Sequence, residues 1–397
     1  MPKLTVVPSG SSASSVDGIP TVAEFFAGIG LVRMGLEQAG FEVRWANDIE
    51  RDKHQMYRQH FGDGAGHFQL GDVAATRARD LPEGLSLAWA SFPCTDLSLA
   101  GGRAGLAGKN SSTFRHFTRV LGELGAARPE VVALENVVGL ATSHGGDDLA
   151  AAVRELNELG YSVDVLTIDA RRFVPQSRPR LFLIGAQHPP EDARDPNSEL
   201  RPDWLQAVYG DSTLLTHRAP LPSPPIPLTS GLGDVVERMD YRDSRWWDAD
   251  RTAAFVHSLS PIQLQRIDIL KKARKVSYRT AYRRTRNGVA VWEARPDDIS
   301  GCLRTARGGS SKQAVVKMGN GRLQVRWMTP LEYARLMGAG DYTLDGLRNN
   351  QALFGFGDAV CVPVVAWLAE HYLMPLVTGS LDNSTSVNSA VKHVQSR

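Results

Sequence analysis

The sequence predicts an α/β protein, with a mostly parallel sheet over its first half and a second, smaller domain after it. Three observations carry this expectation. Short apolar runs alternate with helical runs from Thr21 to about Gly185. The first apolar run ends in a glycine-rich turn, FFAGIG at Phe25–Gly30, that opens a helix. Beyond Gly185 the composition changes, with many prolines between 188 and 227 and a basic stretch further on. Strands separated by helices imply parallel pairing, because a parallel connection needs a crossover long enough to hold a helix.

Taken in order, TVAEFF reads as a buried strand and GIGLVRMGLEQAG as a helix that stops at Gly40. Phe41, Val43 and Trp45 then alternate with Glu42 and Arg44, the period of a strand. HFQLGDV, LSLAWASF and EVVALENV are further short apolar runs. DDLAAAVRELNELG carries Leu149, Val153, Leu156 and Leu159 on one stripe and ends at Gly160, which reads as a helix with its stop. YSVDVLTID and RLFLIGA follow with no helix between them, so they are expected as an antiparallel pair at the sheet edge. Residues 188–227, with Pro189-Pro190 and Pro224-Pro225, read as an extended connection. A Trp246-Trp247 segment, a helix around Ile262–Ala273 and β hairpins through Val325 come next. VPVVAWLAEHYLMPL returns to helical spacing and is expected to fold back on the first domain. Residues 1–18 and 379–397 are poor in apolar side chains and read as flexible tails.

Composition narrows the class. The 397 residues are 42% apolar and 22% charged, an ordinary globular balance. No uninterrupted stretch of 18 apolar residues occurs, so no membrane span is expected, and the N-terminal segment lacks the apolar core of a secretory signal. Three cysteines (Cys94, Cys302, Cys361) cannot build a disulfide framework, and no paired-cysteine spacing suggests zinc, so a cytoplasmic protein without a metal is expected. The net charge of +2 hides an asymmetry: residues 265–326 hold 16 Lys and Arg against 4 Asp and Glu. A basic segment on an acidic body suggests a face for a polyanion, although a solvated surface has the same composition.

Four constellations carry chemistry. Gly28 and Gly30 let the backbone approach a ligand at the carboxyl end of a strand, near a positive helix end. Asp48, 20 residues after Gly28, ends the next strand, where a carboxylate can hold ribose hydroxyls. The third glycine of the dinucleotide fingerprint is missing, which argues against NAD. Cys94 follows a buried strand and Pro93 and precedes a glycine-rich loop, the place for a nucleophile. Cys361 sits in an apolar run and reads as an inert core thiol, while Cys302 stays unassigned. Glu135 ends the strand of LENV; alone it reads as a helix cap, and beside Cys94 it becomes a candidate general acid. Arg178 and Arg180 of QSRPR alternate into the last strand, with guanidiniums suited to acceptor oxygens.

The combined order, FFAGIG, an acid, GDV, PCTDLS, ENV, QSRPR, CLRTARGG, RWMTPLEYARLMG and GDAVCVPVV, resembles the DNA cytosine-5 methyltransferase family, over about residues 21–375. The resemblance implies a Rossmann-like, S-adenosylmethionine-dependent methyltransferase fold with a smaller target-recognition domain. It implies a catalytic and cofactor domain at 19–187, target recognition at 188–345 with the basic segment 265–326, and a C-terminal return at 346–378. Phe25, Ala27, Gly28 and Gly30 would line the S-adenosylmethionine site, with Asp48 on the ribose, Ile49 against adenine and Asp72 at its edge. Pro93 and Cys94 would form the catalytic centre. Glu135 and Arg180 would hold the target cytosine, supported by Arg178 and Gln176, and Asp358 would close the cofactor side with Gly357. Ser98, Arg103, Gln176, Arg304 and Thr305 would meet DNA near the nucleophile. Lys271, Lys272, Arg274, Lys275, Arg283, Arg284 and Arg286 would supply phosphate contacts.

The residue types suit the implied chemistry. Attack of a Cys94 thiolate on carbon 6 makes carbon 5 of cytosine enamine-like, Glu135 serves ring nitrogen 3, and Arg180 serves the ring carbonyl. Reaching the base requires extruding it from double-stranded DNA. The expected protein is a monomeric bacterial restriction–modification methylase whose cognate endonuclease acts separately, yielding S-adenosylhomocysteine. A tRNA cytosine-5 methyltransferase and a non-catalytic nucleic-acid binder are the alternatives. Three departures stand out: Thr95-Asp96 after Cys94, Leu31 for a frequent glycine, and Asp358 where the family commonly carries Asn.

Overall fold

The computed structural model describes residues 18–62, 66–93, 112–193, 199–286, 288–304 and 312–381. Seven strands form the main sheet: β1 (Thr21–Phe25), β2 (Glu42–Asp48), β3 (Phe68–Leu70), β4 (Leu87–Ala90), β5 (Val131–Val137), β6 (Ser162–Asp169) and β7 (Pro179–Ala186). Their order is β3-β2-β1-β4-β5-β7-β6. Every pairing is parallel except those of β7, which runs antiparallel to both β5 and β6. The expected antiparallel pair is present, but β7 lies inside it and β6 forms the edge. Only residues 170–178 join β6 to β7, too short a link for a parallel crossover.

Helices α1 (Leu31–Gln38), α2 (Arg51–Phe61), α3 (Ser112–Leu124), α4 (Gly139–Thr142) and α5 (Asp147–Glu158) connect these strands. Their apolar faces and the sheet make two cores, one on each side. Val22, Leu36, Val43, Met56 and Trp89 belong to the first, and Ala23, Phe25, Phe117, Val153 and Leu183 to the second. The alternation of Val22 and Ala23 between the two cores is the strand period made visible.

The proline-rich segment does more than connect. The amide of Thr167 donates to Leu200 O at 2.8 Å, the amide of Val163 donates to Leu215 O at 3.1 Å, and Arg201 is buried against Asp164. Residues 200–217 therefore cover edge strand β6, whose open N–H and C=O groups would otherwise invite foreign strands. Helix α6 (Gln206–Gly210) lies within this cover, and α7 (Leu232–Val235) follows it.

Helices α8 (Ala249–His257) and α9 (Pro261–Lys272) pack on a second sheet of β8 (Ser277–Arg286), β9 (Val289–Ala294), β10 (Ala314–Gly319) and β11 (Arg322–Trp327). It is antiparallel throughout, in the order β11-β10-β8-β9. Its core joins Phe255, Ile267, Val316 and Val325 to Trp247, Trp292 and Trp327, whose rings lie 5.3–5.5 Å apart. This third core spans Trp247–Trp327, whereas Leu200, Leu232, Met328, Tyr333 and Tyr342 belong to the cores of the large sheet.

The chain returns through α10 (Pro330–Leu336), α11 (Asn349–Asp358), α12 (Val362–Leu368), a π-helical stretch and α13 (Met374–Val377). Helix α12 lies so close to α1 that a Cβ at Gly35 would stand 2.6 Å from Val365 Cβ, which only glycine allows. Among the described residues, Asn349–Val377 has the length of a membrane span, and its most apolar 18-residue window has a mean hydropathy of 1.8. Asp358, Glu370 and His371 interrupt it, so it holds no uninterrupted apolar run of that length. The helix is broken at 359–361 and 72% of its most apolar window is buried, the state of a core element.

Candidate active site

The strand order reverses between β1 and β4, so the crevice at their carboxyl ends is where an open α/β sheet takes its ligand. The chain leaves β1 through a left-handed turn, with φ +58° at Phe26, +58° at Gly28 and +81° at Gly30. The amide of Ala27 donates to Asn47 O at 2.8 Å, and that of Gly28 donates to Asp48 Oδ2 at 2.9 Å. Asp48 Oδ1 accepts from the amide of Glu50 at 2.8 Å, so the carboxylate joins the two strand ends. Asn47 donates to the carbonyls of Gln69 and Gly71 and ties β3 to the same corner.

This corner fits an adenosine. Ile49 is 60% exposed beside Asp48, and Leu70, which pairs with Asp48 across β2 and β3, is also exposed. Exposed aliphatic surface next to a carboxylate offers an adenine face and a ribose partner together. Asp72 lies nearby, solvent-exposed, with Oδ1 accepting from the Ala74 amide at 2.9 Å. Phe25 departs from expectation. It is fully buried against Trp45 and Phe117, ring centres 4.7 and 5.0 Å away. Alternation along β1 sends Phe25 into the core, and the half-buried Phe26, at positive φ, is the ring at the turn. Its sequence signal was available: it is the first residue past the strand.

At the next strand ends, β4 delivers Ser91, Phe92 and Pro93 beside Glu135, and the two strands are in register through Ala90 and Leu134. Glu135 does not end its strand as expected, since β5 pairs with β7 for two residues more. Asn136 Nδ2 donates to Phe92 O at 3.2 Å and fixes the exit of β4. Cys94, Thr95, Asp96, Ser98, Arg103 and Thr305 lie outside the described residues. Arg180 Nε donates to Glu135 Oε1 at 2.9 Å, and the Ser91 hydroxyl also bonds that carboxyl. Burial pushes the Glu135 pKa up, and Arg180 and Arg178 offset this only in part.

Arg178 and Gln176 sit one layer deeper. Arg178 is fully buried and donates to the carbonyls of Leu303, Gly357 and Ala359 at 2.8, 3.1 and 2.6 Å. Gln176, expected at the DNA, has no exposed surface; it donates to Leu336 O and accepts from the Leu303 amide. Both side chains join β7 to the segment carrying Cys302, Leu303 and Arg304. Cys302 has no role legible in the sequence, yet its sulfur lies 3.3 Å from Arg178 Nη1 and 3.9 Å from Arg180 Nη2. Burial raises its thiol pKa, but Arg178, Arg180 and Arg304 outweigh this and hold it below the ordinary range. Cys361 is buried and pushed up to about 12, as an inert core thiol should be.

Asp358, at the end of α11, meets Lys53 of α2, Nζ to Oδ2 at 3.0 Å. In the second sheet, Arg283, Arg284 and Arg286 lie in the exposed half of β8, while Lys272, the last residue of α9, and Arg274 and Lys275 after it are exposed. Lys271 is half-buried against the groove between α8, α9 and β11. Arg284 and Arg286 share Glu293, at 3.7 and 2.5 Å. Arg326, counted in the basic segment, is instead fully buried against Glu332. Arg304 is exposed beside the Cys302 sulfur.

A mostly parallel sheet with a glycine-rich turn, a ribose-suited acid and the Glu135–Arg180 pair at neighbouring strand ends fits the S-adenosylmethionine-dependent methyltransferase class. Residues 21–373 match the family model of the C-5 cytosine-specific DNA methylase. The chain belongs to that family and is a DNA cytosine-5 methyltransferase. It is 30% identical to Type II methyltransferase M.NlaX of Neisseria lactamica, over 88% of this chain and 95% of the relative. It is 26% identical to Type II methyltransferase M.Bsp6I of Bacillus sp. (strain RFL6), over 88% and 97%. The crystal structure of S. pombe Dnmt2 methyltransferase shares the fold, with TM-score 0.56 and 17% identity over 90% of this chain and 99% of that one.

Proposed function

We propose that the chain is the methylase of a restriction–modification system, acting as a monomer in the bacterial cytoplasm on one cytosine of a short double-stranded DNA sequence. The observation that carries the site assignment is the Glu135–Arg180 pair beside the exit of β4, which leads directly into Cys94. Asp48, Ile49 and the Gly28 turn would hold S-adenosylmethionine, whose sulfonium supplies an electrophilic methyl group that carbon 5 of cytosine accepts. The Cys94 thiolate forms a bond to carbon 6, which breaks the aromaticity of the ring and leaves carbon 5 enamine-like. Glu135, whose burial favours the neutral carboxyl, donates its proton to ring nitrogen 3 as charge moves there. Arg180 supplies a fixed cation for the ring carbonyl. Loss of the carbon-5 proton to water, return of the nitrogen-3 proton and expulsion of Cys94 complete the turnover.

Arg178 and Gln176 act by positioning, since both are buried and bond to backbone. The second sheet supplies DNA phosphate contacts from Arg283 and its neighbours, and a separate endonuclease is the expected cellular counterpart. Conversion sequencing of DNA from a methylation-deficient host expressing the chain tests the reading. Full protection of one cytosine in one short motif is the expected result. No protected cytosine with soluble, folded protein transfers the assignment to RNA or to a silent binder.

A further inference from the structure

Lys53 stands where no family motif placed a residue. It lies in the first turn of α2, and its side chain runs back over the glycine-rich turn. Its Cδ comes within 3.9 Å of where a Gly28 Cβ would be. Its ammonium meets Asp358 Oδ2 at 3.0 Å, and the side chain is only 20% exposed. Burial disfavours its charge, yet Asp358, Asp48 and Glu50 outweigh that and hold the ammonium protonated.

Two roles compete. The pair could stitch α2 to α11, but that seam is already closed by Arg348 on Asp52 at 2.8 Å and by Gln351 on the Asp52 carbonyl and Gln55. A ligand offers the other role. Asp48 Oδ2 accepts from the Gly28 amide, so a ribose held by Asp48 would stand beside the turn and its 5′ substituent could lie along it. That path leads over Gly28 to Lys53. The 5′ substituent of the cofactor ends in an amino acid, whose carboxylate needs a cation, and among the described residues the charges that act on Lys53 here are the acids Asp358, Asp48 and Glu50. Asp358, in place of the family's frequent Asn, then has a reason: it anchors the lysine over the turn.

We propose that Lys53 binds the α-carboxylate of the methionyl part of the cofactor and that Asp358 holds it in place for that contact. The inference rests on the reading that Asp48 takes the ribose. Calorimetric titration of the full chain with S-adenosylhomocysteine and with its decarboxylated analogue, S-adenosyl-3-thiopropylamine, tests it. Wild type is expected to bind the complete ligand at least about 10-fold more tightly than the analogue, the scale of one charge-assisted hydrogen bond. Lys53→Met is expected to weaken the complete ligand by about 10-fold and the analogue by less than about 2-fold, with melting temperature as the fold control. Lys53→Gln, neutral and of similar reach, repeats the measurement should the Met variant fold poorly. Equal losses for both ligands, no loss, or a wild type that does not distinguish them overturns the proposal. A wild type that binds neither ligand overturns the underlying cofactor reading as well, which sets the two failures apart.

Discussion

Arg180 Nε lies 2.9 Å from Glu135 Oε1, and burial nevertheless raises the pKa of that carboxyl. A full cation at contact distance would ordinarily pull a carboxylate down. Here desolvation wins, because Glu135 sits within β5, two residues before its end and paired with β7, and has lost its water. The pair thus combines a fixed positive charge with a carboxyl inclined to keep its proton, the two properties needed at a ring that gains negative charge.

Glu135→Gln is therefore expected to lower the methyl-transfer rate by about 10²–10⁴ while leaving S-adenosylhomocysteine affinity unchanged. For wild type the single-turnover rate should fall as pH rises through the raised Glu135 pKa, since the protonated form is the donor. Rapid-quench kinetics across pH checks both, and a normal rate in the variant would show that Glu135 is not the acid.

Cys94→Ala is expected to abolish methyl transfer, which labelled-methyl incorporation into DNA measures directly; full residual activity would sink the mechanism. In that background Cys302 should react with iodoacetamide well before Cys361. Arg178, Arg180 and Arg304 favour the Cys302 thiolate, whereas burial pushes Cys361 up to about 12. Peptide mass spectrometry gives the order, and early labelling of Cys361 would contradict it.

Glu24 is fully buried in β1, and among the described residues no side chain hydrogen-bonds its carboxyl. Burial raises its pKa well above the ordinary value, with only partial relief from Arg33. A raised folded-state pKa contributes stability that is present below the ordinary carboxylate range and lost as pH rises towards the folded pKa. Glu24→Gln removes that loss. Its melting temperature should rise relative to wild type between weakly acidic and neutral pH, and a constant difference across that window would refute the account.

Removal of Arg283 should lower the slope of log affinity against log salt by about 1, the signature of one lost phosphate contact. Arg326→Met should leave that slope intact and instead lower stability, because it strands Glu332 in the interior. Fluorescence anisotropy over a salt series, paired with thermal unfolding, separates the two. An unchanged slope for Arg283 would make β8 a merely solvated strand.

Much of this was legible in the chain. Apolar period and glycine stops placed β1, α1, β2 and α5, because those signals are local. The position of a residue at a strand end followed too, and so Asp48, Glu135 and Arg180 were found at one sheet edge. Phe25 shows the limit of that reading: a motif names a neighbourhood, but the two-residue strand period chooses which ring turns inward.

The remaining facts depend on which distant segments meet. Nothing local in QSRPR says that Arg178 and Gln176 are sunk beneath Arg180, since their partners are backbone groups of Leu303, Leu336, Gly357 and Ala359. Nothing near Lys53 names Asp358, or near Arg326 names Glu332. Motif order and residue chemistry encode the reaction, because turns and strand ends obey short-range rules. Which charges are neutralised, buried or left at the site is settled by long-range packing, which brings α11 against α2 and the Cys302 segment against β7.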